Sequence, residues 1–238
     1  MLGKRIILAL LTLSVLAGCE STPAQQRLDP DDVASMEKVK NYDGLISHYK
    51  SELKKGSQDT EIKEKLAWAY FYKGDLESAN FYVQYLKKEG VENSNLYQLE
   101  GQVFDAKNDT ENAISSYKSS IKVGNQTGQI HVLLGVAYTK AGRYKEAYQE
   151  LDKARLRGFD DIAIKNNIAM IHMAKGEFDQ AIETLVPILK QDPGNKIVKA
   201  NLAVALMKTH KVESAKKLLK GDFSDQELQS IATELAQK

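Results

Sequence analysis

A single cysteine, Cys19, in 238 residues excludes an intrachain disulfide and any metal site built from several thiolates. Four prolines and 15 glycines supply little turn chemistry, which disfavours a strand-rich fold and favours helices. A surplus of one charge is missing too. With 33 basic against 32 acidic side chains there is no field to gather nucleic acid. No phosphate loop, dinucleotide glycine pattern, nucleophile elbow or His-Glu-x-x-His run occurs, so nothing in the sequence points to an enzyme. The four histidines, His48, His131, His172 and His210, lack ligand spacing, and no metal, cofactor or small-molecule substrate is expected. His172 is expected to be a packed, hydrogen-bonded side chain. Asp160 and Asp161 stand just before an apolar-periodic stretch and are expected to cap a helix.

What the chain does have begins at its N-terminus. Lys4 and Arg5 precede an apolar run to Leu16, too short for a permanent membrane span and laid out as a secretory signal. The run ends in Leu16-Ala17-Gly18-Cys19, which resembles the lipobox of bacterial lipoproteins. The resemblance implies a signal peptide at 1–18 and a covalent lipid on Cys19, which is stable as an anchor when several acyl chains share one residue. Glu20 in the next position, where that family places Asp for inner-membrane retention, implies an outer-membrane protein facing the periplasm. Residues 19–30 hold two prolines and no apolar periodicity, and read as a tether of up to about 35 Å. Without the signal, 31 basic face 32 acidic side chains, so the mature chain stays near neutral.

Self-similarity decides the fold. Ala79, Ala113, Ala147, Ala181 and Ala215 recur every 34 residues, in step with a small column (Ala67, Gly101, Gly135, Ala169, Ala203) and a bulky one (Tyr70, Phe104, Tyr138, His172, Leu206). Gly74, Asn108, Gly142 and Gly176 mark a helix-turn-helix corner, with His210 the exception. Small residues let paired helices approach, and large ones such as Val83, Tyr117, Leu151, Leu185 and Leu219 fill the space between pairs. One pair cannot bury its own apolar face, so the pairs must stack.

In these marks, strongest from His131 to Ala154, the sequence resembles the tetratricopeptide-repeat family. That implies an all-α, right-handed solenoid of antiparallel helix pairs with five units over 61–223. Residues 31–60 are expected to form a degenerate pair, with Leu45 where the alanine belongs. Residues 224–238 open with a capping box, Ser224 to Glu227, and are expected to form a helix that covers the last face. Two positions depart from the pattern. Glu100 stands in the inward column of Leu66, Leu134, Ile168 and Leu202, and is expected to pack poorly or to tip outward. Pro187 inside a second helix is expected to bend it.

In the family the first helices line a groove, and the columns that project into it are Trp68, Gln102, Val136, Met170 and Val204; Phe71, Asp105, Thr139, Met173 and Met207; and Glu64, Gln98, Val132, Asn166 and Ala200. The first unit offers Trp68, Phe71 and Tyr72, the last two offer Met170, Met173, Val204 and Met207, and Gln102, Val136 and Asn166 lie between. Aromatics anchor partners and methionines adapt to them, so a protein-binding groove is expected along these residues. The competing reading packs some of them against a neighbouring unit, with the N-terminal pair over Trp68. No basic and asparagine clamp for a C-terminal carboxylate is visible.

Asn166 to Leu206, with its Asn166-Asn167 opening, Leu185 to Pro187 and Asn201 to Ala203, resembles the TadD family of the tight-adherence (Flp) pilus system. The resemblance implies a pilotin-like lipoprotein with an outer-membrane secretin or a pilus assembly component as partner. Two neighbouring families stay open, the type IV pilus pilotins and the NlpI-like adaptors that scaffold peptidoglycan hydrolases or proteases.

Overall fold

Every 34 residues the backbone turns through the left-handed region. At Lys40, Gly74, Asn108, Gly142, Gly176 and His210, φ lies between 56° and 87°. Each corner joins two helices in the computed structural model, which describes residues 30–56 and 59–221. The pairs are α1 (Pro30–Lys38) with α2 (Tyr42–Lys54), α3 (Thr60–Lys73) with α4 (Leu76–Lys88), and α5 (Ser94–Ala106) with α6 (Thr110–Lys122). They continue with α7 (Gly128–Lys140) and α8 (Tyr144–Leu156), α9 (Asp161–Ala174) and α10 (Phe178–Gln191), and α11 (Lys196–Lys208) and α12 (Val212–Leu219). Each helix packs on the next, and α3 also touches α5, α7 touches α9 and α9 touches α11, so the first helices of successive pairs form a row. This is the expected all-α solenoid.

Local chemistry sets the ends. Asp59, Asp75, Asn93, Asp109, Thr127, Asp160 and Asn195 each accept a backbone N–H of the first helical turn. An unpaired donor at each start is thereby satisfied. The alanine column is fully buried, all five at 0% exposure, because a larger side chain there would separate the paired helices. Gly101 answers the same need, since a Cβ on it would collide with the Tyr117 ring. Leu66, Leu86, Leu99, Leu151 and Leu185 are fully buried between the helices. Each contributes about 1.5–3 kcal/mol by leaving water.

Two expectations need correction. His210 is no exception at its corner, because it adopts φ 59° without a glycine's freedom, as Lys40 and Asn108 also do. Glu100 neither tips outward nor packs loosely. It is 4% exposed, and Ser116 Oγ donates to its Oε2 at 2.9 Å while Lys87 Nζ (2.5 Å) and Gln84 Nε2 (3.3 Å) donate to Oε1. A carboxylate is tolerated inside when its lone pairs are filled, and here α4 and α6 fill them. Pro187 lies inside α10, which runs from Phe178 to Gln191, with its ring on the exposed side.

Leu45 does the work of the missing alanine differently. It is 4% exposed in one core with Ile46, Tyr49, Leu66 and Ala67, while the close approach of α1 falls at Gly44, where a Cβ would meet Met36. Pro30, expected as the end of the tether, opens α1. The signal peptide, Cys19, the rest of the tether and the helix expected at 224–238 lie outside the described residues.

Candidate functional site

The first pairs hold a ladder of rings. Trp68 stacks on Tyr72 at 5.5 Å and 25°, and Tyr72 stacks on Tyr42 at 5.6 Å and 19°. Phe71 meets Trp68 edge-on at 6.0 Å and Tyr72 at 5.6 Å. Trp68 and Tyr72 lie one turn apart on α3, and the corner at Lys40 delivers Tyr42 beside them. Ring pairs of this geometry add about 0.5–1.5 kcal/mol each and hold the wall rigid.

The wall borders a cavity of about 560 Å³, closed by Leu45 and Tyr49 of α2, by Glu37 and Lys40 at the end of α1, and by Asn95 and Gln98 of α5. A second cavity of about 520 Å³ lies against Trp68 between Glu64, Asn93 and Asn95. Trp68 therefore stands as a partition, half-buried, and Tyr72 is 56% exposed. The N-terminal pair does not cover Trp68 but completes its groove. Burial, then the neighbouring Tyr42, pushes the Tyr72 phenol above its ordinary pKa, so it stays a neutral hydrogen-bond donor at neutral pH. Lys65, on the rim, is held by Glu61 at 2.6 Å.

The middle of the row is polar and mostly occupied with itself. Asn93 Nδ2 donates to Glu64 at 2.8 Å, Asn125 Nδ2 to Gln98 at 3.0 Å, and Asn201 Nδ2 to Asn166 at 2.9 Å. Lys140 Nζ donates to both oxygens of Asp105. These amides tie successive units together. Gln102 and Val136 are half-buried between them.

The methionine end differs from the expected groove. Met170 is 37% exposed, Val204 is half-buried, and Met173 packs against the aliphatic core of α9, α10 and α11. Met207 is 6% exposed and belongs to a core cluster with Ala203, Ala215 and Leu219, so it is withdrawn from the proposed contact surface. The small residues of α11 and α12 leave room that a flexible thioether fills.

Two histidines pair with carboxylates inside the repeats. His172 Nδ1 lies 2.8 Å from Glu177 and its ring meets Tyr148 edge-on, as expected of a packed side chain. His131, 3% exposed, lies 2.6 Å from Glu150, which also accepts from Lys153 at 2.8 Å. Asp160 caps α9 by accepting from Ala163 N–H at 2.7 Å, and Asp161 pairs with Lys165 and Arg155. Among the described residues no helix is long and apolar enough to cross a membrane.

Among the described residues, twelve helices stacked in pairs with an open aromatic groove define a helical-repeat binding scaffold. The tetratricopeptide-repeat family matches at residues 99–161 and again at 172–226, so these stretches are tetratricopeptide repeats. The chain is 30% identical over 167 residues, 64% of its length, to the TPR repeat-containing protein MJ1428 of Methanocaldococcus jannaschii. It spans only 29% and 8% of the length of the curated relatives it matches. Among solved structures it resembles PilW, a widely conserved type IV pilus biogenesis factor, with a TM-score of 0.58 and 18% identity over 69% of this chain and 76% of the other. PilF of Pseudomonas aeruginosa gives a TM-score of 0.56 at 17% identity over 75% and 83%. At these identities the likeness is one of fold.

Proposed function

We propose that this protein is a non-enzymatic scaffold, lipid-anchored through Cys19 to the outer membrane and facing the periplasm, that helps a secretin or pilus machine of the Tad/Flp kind to assemble. The observation that carries the binding role is the groove at its N-terminal end, where Tyr42, Tyr72 and Trp68 present a stacked wall beside about 560 Å³ of open space. Rigid aromatics beside a cavity anchor an apolar side chain of a partner at small entropic cost. Asn95 and Gln98 face them across the cavity with amides suited to the partner's backbone. The fold shared with PilW and PilF, proteins of pilus systems by name, and the lipobox at Leu16 to Cys19 support the placement.

Two measurements test it separately. Fatty-acid labelling of cells should mark the wild type and leave Cys19→Ala unlabelled; label on the variant contradicts the anchor. Copurification of the secretin from solubilised membranes should be lost on Trp68→Ala with Tyr72→Ala while circular dichroism stays helical. Undiminished recovery by that folded variant would contradict the groove.

A further inference from the structure

Trp68 divides two cavities of different chemistry, and the binding role described above uses only the first. That cavity, of about 560 Å³, is floored by the buried Leu45, Tyr49 and Ala69, and the charges around it are Glu37 against Lys40 and Lys65. The second, of about 520 Å³, is lined by Trp68 and otherwise by polar side chains, with Glu61 and Glu64 against Lys65. Glu61 engages Lys65 at 2.6 Å. Glu64 is thereby left, among the described residues, as a carboxylate with no cation beside it.

Glu64 is half-buried, and its two oxygens differ in what they meet. Asn93 Nδ2 donates to Oε2 at 2.8 Å while Asn93 Oδ1 accepts from Leu96 N–H at the start of α5, so the amide is fixed and holds the carboxylate in place. Among the described residues no donor meets Oε1. The tie between units does not need the charge. At the same repeat position Gln98 accepts from Asn125 at 3.0 Å and Asn166 from Asn201 at 2.9 Å, and these neutral amides join their units equally well. In the column Glu64, Gln98, Val132, Asn166 and Ala200 only the first unit has a carboxylate, and it stands one helical turn before the one tryptophan of the chain.

We propose, resting on the groove reading above, that the partner segment binds extended and carries an arginine two residues from its apolar anchor. The anchor fills the first cavity, and the guanidinium lies against Trp68 in the second and donates to Glu64 Oε1. Charge complementarity selects this occupant. An uncompensated carboxylate beside an indole suits a guanidinium, which stacks on the ring and bonds the carboxylate with the same planar group. The first cavity has two lysines to one glutamate and disfavours that charge, so the segment has one direction. Side chains two apart on an extended strand share a face at roughly 7 Å, the reach needed to straddle one ring.

The only tryptophan in the chain reports on the site directly. Titrating the full-length protein in detergent with the peptide Gly-Ser-Leu-Ser-Arg-Ser-Gly should change Trp68 emission at a concentration at least tenfold lower than with Gly-Ser-Leu-Ser-Gln-Ser-Gly, and the gap should narrow as salt is raised. Glu64→Gln keeps an acceptor for Asn93, so its melting midpoint should stay at the wild-type value, while both peptides should bind it as weakly as the glutamine peptide binds the wild type. Equal binding of the two peptides by the wild type, or an arginine preference that survives in Glu64→Gln, would overturn the proposal and leave the groove itself standing. No response of Trp68 to either peptide would overturn both.

Discussion

Phe71 and Met207 occupy the same column of the repeat, four units apart, yet Phe71 stays half-buried among the rings beside the groove and Met207 sinks into the core. Around Phe71 the neighbouring columns hold the large rings of Trp68 and Tyr72, and the pair before them supplies Tyr42 at the start of α2, which extends the wall instead of burying it. Around Met207 the neighbours are Ala203, Ala215 and Leu219, small enough for a flexible side chain to sink among them. Repeat position fixes the direction in which a side chain sets out. Its exposure is settled by the bulk of what stands beside it.

The sharpest way to break that contrast is to truncate methionines. Met207→Ala should cost about 2–4 kcal/mol through lost burial and a residual cavity, whereas the exposed Met170→Ala should cost under about 0.5 kcal/mol. Local amide exchange in α9 for Met170 and in α11 and α12 for Met207 reads both, and equal effects would erase the distinction. A double change of Met170 to Lys and Met207 to Glu, which would serve as a groove probe if both faced a partner, should instead unfold the last pair.

Glu100→Ala should follow at about 2–3 kcal/mol, since it leaves the Ser116 hydroxyl and the Lys87 ammonium without their acceptor. Glu100→Leu, the residue three of the other four units use, should recover most of that loss. Thermal unfolding decides, and a leucine variant as unstable as the alanine would mean that the polar network is required as such.

Corner residues give a smaller effect. Gly142→Val should cost about 1–2 kcal/mol although an added Cβ meets nothing within 4 Å, because φ 71° alone penalises a β-branched side chain. His210→Gly should act in the opposite sense and stabilise by up to about 1 kcal/mol, as φ 59° is then free. An unchanged midpoint in both would put the strain elsewhere.

Smallest is a pH effect. Backbone and hydroxyl donors of Ser78 hold Asp75 below the usual carboxylate range, and Lys175 followed by His172 does the same for Glu177. A folded-state value below the unfolded one means these contacts stabilise at neutral pH and lose that contribution as pH falls through and below the ordinary carboxylate range. Melting curves from pH 7 to pH 3 should slope down less in Ser78→Ala with Glu177→Gln than in the wild type. Both groups are at the surface, so the difference should shrink in salt.

The 34-residue step and the alanine column were legible because each residue type there has one mechanical use, and all five alanines are fully buried. Lys40 and His210 were illegible as corners, since neither advertises a positive φ as glycine does. Glu100 was misread because a lone carboxylate in an apolar column gives no hint of Ser116 and Lys87, which are contributed by two other helices. In the candidate groove, Trp68, Phe71 and Tyr72 were visible in the sequence. Tyr42 was not, because it comes from the preceding degenerate pair and lies outside the columns of α3 that point into the groove.

The most direct measurement of the central claim compares three full-length forms of the protein for recovery of the proposed secretin partner from the same solubilised envelopes. Wild type and Met170→Lys should recover it equally, and Trp68→Ala with Tyr72→Ala should lose at least tenfold while remaining folded. Loss on Met170→Lys with full recovery by the aromatic variant would place the binding surface at the opposite end and contradict the account.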